Sequence, residues 1–345
     1  MNKTIKALGA IVSVVIVLAL IGVFIMGFFA RRQGKTIRQF LQDRHAAQRA
    51  AESEDISSLN LVAGMSSFKM TSGGRERSGM LYIPASYKAS EPTPLVVGYH
   101  GGFAEGENQD KLTHMSQIAD KENFIIVYPD GVNRHWNDGR SKAIENGENV
   151  DDVQFTKDLI AAVSSRVNID AKRIYATGIS NGGMMTYRVA REMTSVFAAV
   201  ATVSSATPVE QQSMQNPSSP IPVLIMQGTE DPLIPFNGGE MAFHIGTAVP
   251  TRDTIAYWVK VNKANATAAS SQLPDTDPND GTTITHDSYS STGAGSAPVE
   301  VYIVNGGGHT WAGGNQYARE SAIGKTSHDV DASQLIWDFF KNYSK

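Results

Sequence analysis

Not one cysteine occurs among the 345 residues. That absence excludes disulfides, thiolate catalysis and cysteine-ligated zinc together. Positive charge is also thin: 30 Lys and Arg stand against 34 Asp and Glu, for a formal net charge of −4. With no basic block in the body of the chain, a nucleic-acid partner is excluded. No segment repeats at a fixed period, so a solenoid or propeller is excluded too. What is present is apolar: 41% of residues are hydrophobic and 19% charged, enough for one large α/β domain or two ordinary ones.

The one long apolar run lies at the start. Lys3 and Lys6 precede residues 7–30, interrupted only by Ser13 and three glycines. At about 1.5 Å per residue such a helix crosses a hydrocarbon layer of roughly 30 Å. A signal-peptide core is shorter and ends in small residues at −3 and −1; with Ala30 at −1, Phe28 at −3 is too bulky. The run is therefore read as an uncleaved transmembrane anchor in preference to a cleaved secretory signal. Arg31, Arg32, Lys35 and Arg38 follow it, so basic residues flank both ends and the positive-inside rule leans towards an internal body. Residues 31–58 are polar and read as a stalk, leaving 59–345 as the globular part.

In that part, short apolar runs closed by glycine or proline alternate with amphipathic ones. "SSFKM" and "GMLYIP" flank "SGGRERS" as a hairpin. "PLVVGYHGG", "FIIVYPDG", "RIYATG", "FAAVATVSS", "IPVLIMQG" and "VEVYIVNGGG" suit strands buried on both faces of a mostly parallel sheet. Between them, "DDVQFTKDLIAAVSSRV" puts Val153, Phe155, Leu159, Ile160 and Val163 on one helical face. "RDTIAYWVKVN" and "DASQLIWDFFKNY" have the same character. The pattern predicts one α/β domain with helices on both sheet faces, interrupted by a polar excursion over residues 262–296.

Gly178-Ile179-Ser180-Asn181-Gly182 fits G-x-S-x-G, a pattern that chance supplies in roughly one of four chains this long. Its surroundings are more specific. "RIYAT" reads as the preceding strand and "MMTYRVARE" as the following helix, the arrangement of a nucleophile elbow, in which the flanking glycines let strand and helix approach. A serine hydroxyl needs a histidine to take its proton, and that histidine needs a carboxylate to fix its tautomer. Downstream lie His244, His286, His309 and His328. His309 stands in the glycine-rich loop "GGGHTW" after a strand and is the expected base; the other three read as surface residues. Asp231 follows "PVLIMQGT" at a strand end and is the expected acid, with Glu230 its rival. "YHGG" ends the strand where a second oxyanion donor arises, so the backbone N–H groups of Gly102 and Asn181 are the expected oxyanion hole. His100 reads as structural support for that loop.

Other motifs carry less. "DTDPNDG" resembles a calcium loop, but glycine stands one place late and His286 takes the position of the bidentate glutamate, so it reads as a turn cluster. Of Asp151 and Asp152, one is expected to cap a helix and the other to brace a loop. Trp136 and Trp311 are candidates for substrate contact or for the core. Neither cofactor nor metal is called for.

The stretches "PLVVGYHGG", "YPDGVNRHWNDGR", "DDVQF", "IYATGISNGGMMTYRVA", "QGTEDPLIPFNGG", "LPDTDPNDGTTIT" and "GGGHTWAGG" together resemble the polyhydroxybutyrate depolymerase and feruloyl esterase family of serine α/β-hydrolases. The resemblance runs in order from about Phe68 to Phe340. It implies the α/β-hydrolase fold, a secreted or cell-envelope esterase using Ser180, Asp231 and His309, an oxyanion donor at or beside Gly102, and a substrate-side role for Trp136. Many relatives carry cysteines at the positions of Arg191 and Ala264, which this chain lacks.

The reading is a carboxylic ester hydrolase working through an acyl-enzyme, on hydroxycinnamoyl, short-acyl or polyester substrates. A serine peptidase or thioesterase on the same fold, and a non-catalytic membrane-tethered binding protein, are its alternatives. Localisation is expected, from the resemblance and against the lean of the flanking charges, to be a single N-terminal span with the catalytic domain periplasmic or extracellular. A topology reporter fused after Lys345 should report the external side; a cytoplasmic signal would contradict that localisation.

Overall fold

The computed structural model describes residues 53–140 and 150–345, together with Thr36. The apolar run 7–30 and most of the stretch 31–58 lie outside the described residues. Among the described residues no helix is long and apolar enough to cross a membrane.

The folded unit spans Glu54–Lys345, so it begins before the expected boundary at Leu59. The reason lies in β1 (Glu54–Asp55), which pairs in parallel with β2 (Gly64–Ser72). The segment also buries Ile56 and Leu59 in the core. Ile56, hidden in a stretch that looks like polar stalk, and the pairing of β1 bring the end of that stretch into the domain.

An eleven-stranded sheet organises the unit, in the order β1-β2-β3-β5-β4-β6-β7-β8-β13-β12-β11. Its centre is parallel: β5 (Ile125–Pro129), β4 (Thr93–Tyr99), β6 (Ile169–Ile179), β7 (Ala199–Val203), β8 (Val223–Gly228) and β13 (Val299–Asn305). These are the runs of continuous apolar residues, and β4, β5, β7 and β8 are buried throughout. The hairpin of β2 and β3 (Arg75–Ile83), turning at Gly73-Gly74, adds antiparallel strands to one edge. At the other edge the polar excursion is itself sheet: β11 (Ala269–Gln272) and β12 (Thr283–Tyr289) extend it antiparallel from β13. β12 takes up the β-like run around His286, whereas exposure explains why β11 is missed, because it has no buried residue and so no apolar period to read. Between β8 and β11 lies a separate two-stranded pair, β9 (Gly239–Glu240) with β10 (Thr247–Ala248).

Helices cover both faces. Along β4, Leu95, Val97 and Tyr99 belong to one core and Val96 to the other, as the strand's period of two requires. The first core packs against α3 (Asp152–Ser164), α4 (Asn181–Glu192) and α5 (Thr251–Val261). The second packs against α2 (Met115–Glu122) and α7 (Ala332–Phe340), with α1 (Gly106–Thr113) before them and the short α6 (Glu320–Ile323) before α7. All five apolar positions predicted for α3 are buried. Asp151 caps that helix by accepting from the Gln154 N–H at 2.9 Å, and Asp152 is held by Arg77 at 2.7 Å and the Asn137 N–H at 2.7 Å. Where relatives are expected to have cysteine, Arg191 instead lays its guanidinium 4.1 Å over the Tyr257 ring of α5.

The parallel strands run in one direction, so the loops after β4, β6, β7, β8 and β13 emerge along one edge of the sheet. The chain crosses from one side of β4 to the other here, and the carboxyl ends around such a switch are where α/β sheets place their sites.

Candidate active site

Ser180 stands between β6 and α4 with φ 57° and ψ −124°. A non-glycine residue in that region is strained. The geometry around it explains why the strain is held. A Cβ on Gly178 would lie 2.5 Å from the Gly182 carbonyl oxygen and 2.8 Å from that of Tyr99. One on Gly182 would run into the same Tyr99 oxygen and come within 2.5 Å of the His100 oxygen. Strand β6, the start of α4 and the end of β4 therefore meet backbone to backbone, with no room for side chains. The Ser180 N–H donates to Val203 O at 3.1 Å, and its carbonyl accepts from the Met184 N–H at 2.9 Å and the Ser205 hydroxyl at 2.9 Å.

The end of β7 also reaches the histidine loop. The Ser204 hydroxyl donates to Thr310 O at 2.8 Å and accepts from the Thr310 N–H at 3.1 Å. Ser204 and Ser205 thus fasten the Ser180 turn and the His309 loop to one strand end, a link that no sequence motif announced.

His309 is 3% exposed and Asp231 6%. His309 Nδ1 lies 2.8 Å from Asp231 Oδ2. The carboxylate can only accept, so the ring carries its proton on Nδ1 and leaves the Nε2 lone pair free. Asp231 is itself immobilised. Its Oδ1 accepts from the N–H groups of Leu233 and Ile234, both at 2.8 Å, and its Oδ2 also accepts from Gln227 Nε2 at 3.2 Å. Glu230, the rival acid, is exposed and contributes only its backbone N–H, to Gly307 O at 2.9 Å. The rival histidines are placed elsewhere: His244 is exposed beside Glu240, His286 stacks on Tyr302 next to Glu300, and His328 is exposed.

Gly102 follows β4 and faces Asn181: its Cβ would lie 3.9 Å from that of Asn181 and 3.3 Å from His135 Nε2. The Asn181 N–H belongs to the first turn of α4, whose donors have no intrahelical acceptor and sit at the positive end of the helix dipole. The two positions are therefore neighbours, with donors suited to an anion.

Below them lies a buried polar node. Asn181 Nδ2 donates to Asp138 Oδ2 at 2.6 Å and to Trp136 O at 3.1 Å, while its Oδ1 accepts from the Trp136 N–H at 2.8 Å. Arg140 pairs with Asp138 at 2.6 Å and donates through Nη1 to Ile245 O at 3.1 Å. Both partners of the ion pair are nearly inaccessible, so each charge depends on the other.

Trp136 and Trp311 require correction. Both are 0% exposed, and their indole N–H groups donate to protein: Trp136 to His100 O at 2.9 Å and Trp311 to the Ser333 hydroxyl at 3.0 Å. Trp136 braces the loop after β4 through the His100 carbonyl, and Trp311 packs in the second core. Neither presents a surface to substrate. An indole that finds both an apolar bed and an acceptor is drawn inside, and sequence alone does not show where those acceptors are.

His100 is structural, as expected. Fully buried, its Nε2 accepts from the Gly131 N–H at 2.9 Å and its Nδ1 donates to Gly101 O at 2.7 Å. Burial drives its pKa down to about 4, against the opposing pull of the Gly101 carbonyl. Among the described residues no cluster of His, Asp or Glu could hold a metal ion.

Comparison with known proteins points one way. The profile of the family described as "Esterase PHB depolymerase" matches residues 77–233. A putative esterase, NocK, of Nocardia uniformis subsp. tsuyamanensis is 28% identical over 276 residues, covering 77% of this chain and 79% of that protein. Feruloyl esterase B of Piromyces equi is 24% identical over 277 residues, covering 78% of this chain but 45% of the relative. A probable feruloyl esterase C of Aspergillus niger is 31% identical over 174 residues, 48% of this chain and 58% of the relative. Among solved structures, an acetyl xylan esterase from Aspergillus awamori superposes with a TM-score of 0.53 at 15% identity, over 71% of this chain and 94% of that one. At such identity the superposition speaks to the fold alone.

The buried His100 sets a pH dependence of stability. Its folded pKa near 4 lies below the ordinary 6.5, so its contribution is complete above pH 6.5 and is lost as pH falls towards 4, by about 3 kcal/mol. Urea unfolding midpoints should fall across that window, and His100→Gln, which keeps an acceptor but does not titrate, should flatten the fall. Equal slopes for the two proteins would contradict the assignment.

Proposed function

Because the chain is an esterase of the α/β-hydrolase type, related to the polyhydroxybutyrate depolymerases and feruloyl esterases, we propose that it hydrolyses carboxylic esters with Ser180, His309 and Asp231 as its catalytic triad. The observation that carries this reading is the 2.8 Å contact between His309 Nδ1 and Asp231 Oδ2. Asp231 holds the proton on Nδ1, so Nε2 can take the proton of the Ser180 hydroxyl as its oxygen attacks the acyl carbon. The carbonyl π electrons move onto oxygen, and that oxyanion accepts from the Gly102 and Asn181 N–H groups. Collapse of the intermediate breaks the ester C–O bond. The alcohol leaves with the proton from Nε2, and the acyl group stays on Ser180 Oγ. Water then repeats the sequence: Nε2 takes its proton, the hydroxyl oxygen bonds to the acyl carbon, and Ser180 is released as the proton returns to it.

Each remaining group has a supporting part. Asp231, fixed by three protein donors besides His309, stabilises the imidazolium that forms between the proton transfers. The buried Asn181–Asp138–Arg140 node keeps the first turn of α4 in place, so the donors need not reorganise as charge develops. The reading also takes residues 7–30 as a single-span anchor presenting the domain to esters outside the cell.

Turnover of p-nitrophenyl acetate tests the roles. Ser180→Ala should lower kcat by at least about 10⁴-fold, and Asp231→Asn, which permits the wrong tautomer, by about 10⁴-fold. A Ser180→Ala protein working at the wild-type rate would end the proposal.

A further inference from the structure

Among the described residues only five large apolar side chains are exposed, namely Val62, Phe103, Val209, Phe243 and Tyr317. Three of them adjoin the site. Phe103 directly follows Gly102. The Tyr317 hydroxyl donates to His309 O at 2.8 Å. Phe243 projects from a segment fastened to the acid loop, where the Ala242 N–H donates to Leu233 O at 3.0 Å, two residues beyond Asp231. Single exposed apolar residues are ordinary, but three beside the proposed oxyanion, histidine and acid loops are not.

Two of them meet. The rings of Phe103 and Phe243 lie 6.5 Å apart at 79°, and Phe103 lies 4.5 Å from the His135 ring at 84°. Phe103 is 55% exposed and Phe243 72%, so ring surface remains open after they have packed on each other. Both hold left-handed backbone, φ 64° and 61°, which bulky residues adopt only where the surroundings enforce it. The enforcement is visible: the Phe103 N–H donates to Arg134 O at 2.9 Å, and Arg140 donates to Ile245 O at 3.1 Å. Arg140 is the partner of Asp138, which holds Asn181. The same buried node therefore fixes the residue beside the nucleophile and the segment carrying Phe243.

We propose that Phe103 and Phe243, with His135 behind Phe103, form the specificity-determining wall of the site, and that the group they bind is an aromatic ring carried by the ester. This rests on the ester-hydrolase reading given above. The wall is built of rings set edge to face, so an aromatic guest gains ring–ring contact beyond the area it buries, whereas an aliphatic chain gains area only. The wall takes over the part expected of Trp136 and Trp311, which are enclosed in the interior.

The test compares matched esters: methyl 3-phenylpropanoate and 2-phenylethyl acetate, with the ring on the acyl or the alcohol side, against methyl propanoate and ethyl acetate without it. For wild type, Phe103→Leu and Phe243→Leu, the readout is the ratio of kcat/KM for each ring-bearing ester to its ringless partner, which the amount of folded enzyme does not affect. In one pair at least, both variants should lower that ratio by about 2- to 10-fold, through KM; the pair affected tells which side of the ester the wall holds. Ratios unchanged in both pairs would overturn the wall while leaving the triad intact. A wild-type protein inactive on all four esters would overturn the hydrolase reading and the wall with it.

Discussion

Backbone contact between α4 and the ends of β4 and β6 is the constraint on which the site depends. At Gly178 and Gly182 the neighbouring carbonyl oxygens occupy the space of a Cβ, so the turn between them is forced tight and Ser180 takes the positive φ that lifts its side chain off the sheet. The same approach puts the first turn of α4 beside Gly102, the two positions whose N–H groups are proposed to hold the oxyanion. Strain of this kind persists only where its surroundings over-determine it. Here three strand ends do so, with Val203 and Ser205 holding the Ser180 backbone from the third.

A second level of order lies beneath. Asp138 is a buried carboxylate whose charge is balanced by Arg140 and whose oxygens are shared with Asn181. Such a pair offsets its own desolvation cost only through good geometry and full hydrogen bonding, and adds little net stability. Its consequence is positional. One node orients Asn181, braces the Trp136 loop and anchors the segment bearing Phe243, so the proposed reacting groups and the proposed recognition surface share a support. His100 adds to that support from β4 as a neutral acceptor for the loop after β5.

Much of this was legible in the sequence because it rests on local sterics and chain order. Gly178 and Gly182 flank Ser180 between a strand-like and a helix-like run, and Asp231 and His309 each follow a strand end. The parallel strands were equally plain, since burial on both faces leaves uninterrupted apolar runs. What escaped has physical reasons. β11 is exposed throughout and carries no apolar signal, and β1 is two charged residues whose pairing is long-range. Trp136 and Trp311 could not be assigned to the surface or the core, because their hydrogen-bond acceptors, His100 O and Ser333, become neighbours only on folding. Phe103 and Phe243 are 140 residues apart in the chain and look unremarkable until the fold sets one ring against the other.

The central claim is that the strained turn makes Ser180 a nucleophile served by His309. A fluorophosphonate probe tests this without any assumption about substrate, because an activated serine oxygen displaces fluoride from phosphorus and keeps the phosphonyl group. Mass spectrometry of the digested, labelled protein should find one adduct, on the peptide containing Ser180, and none after His309→Ala. An unlabelled Ser180 in the folded wild-type protein, or an adduct on another residue, would contradict the account.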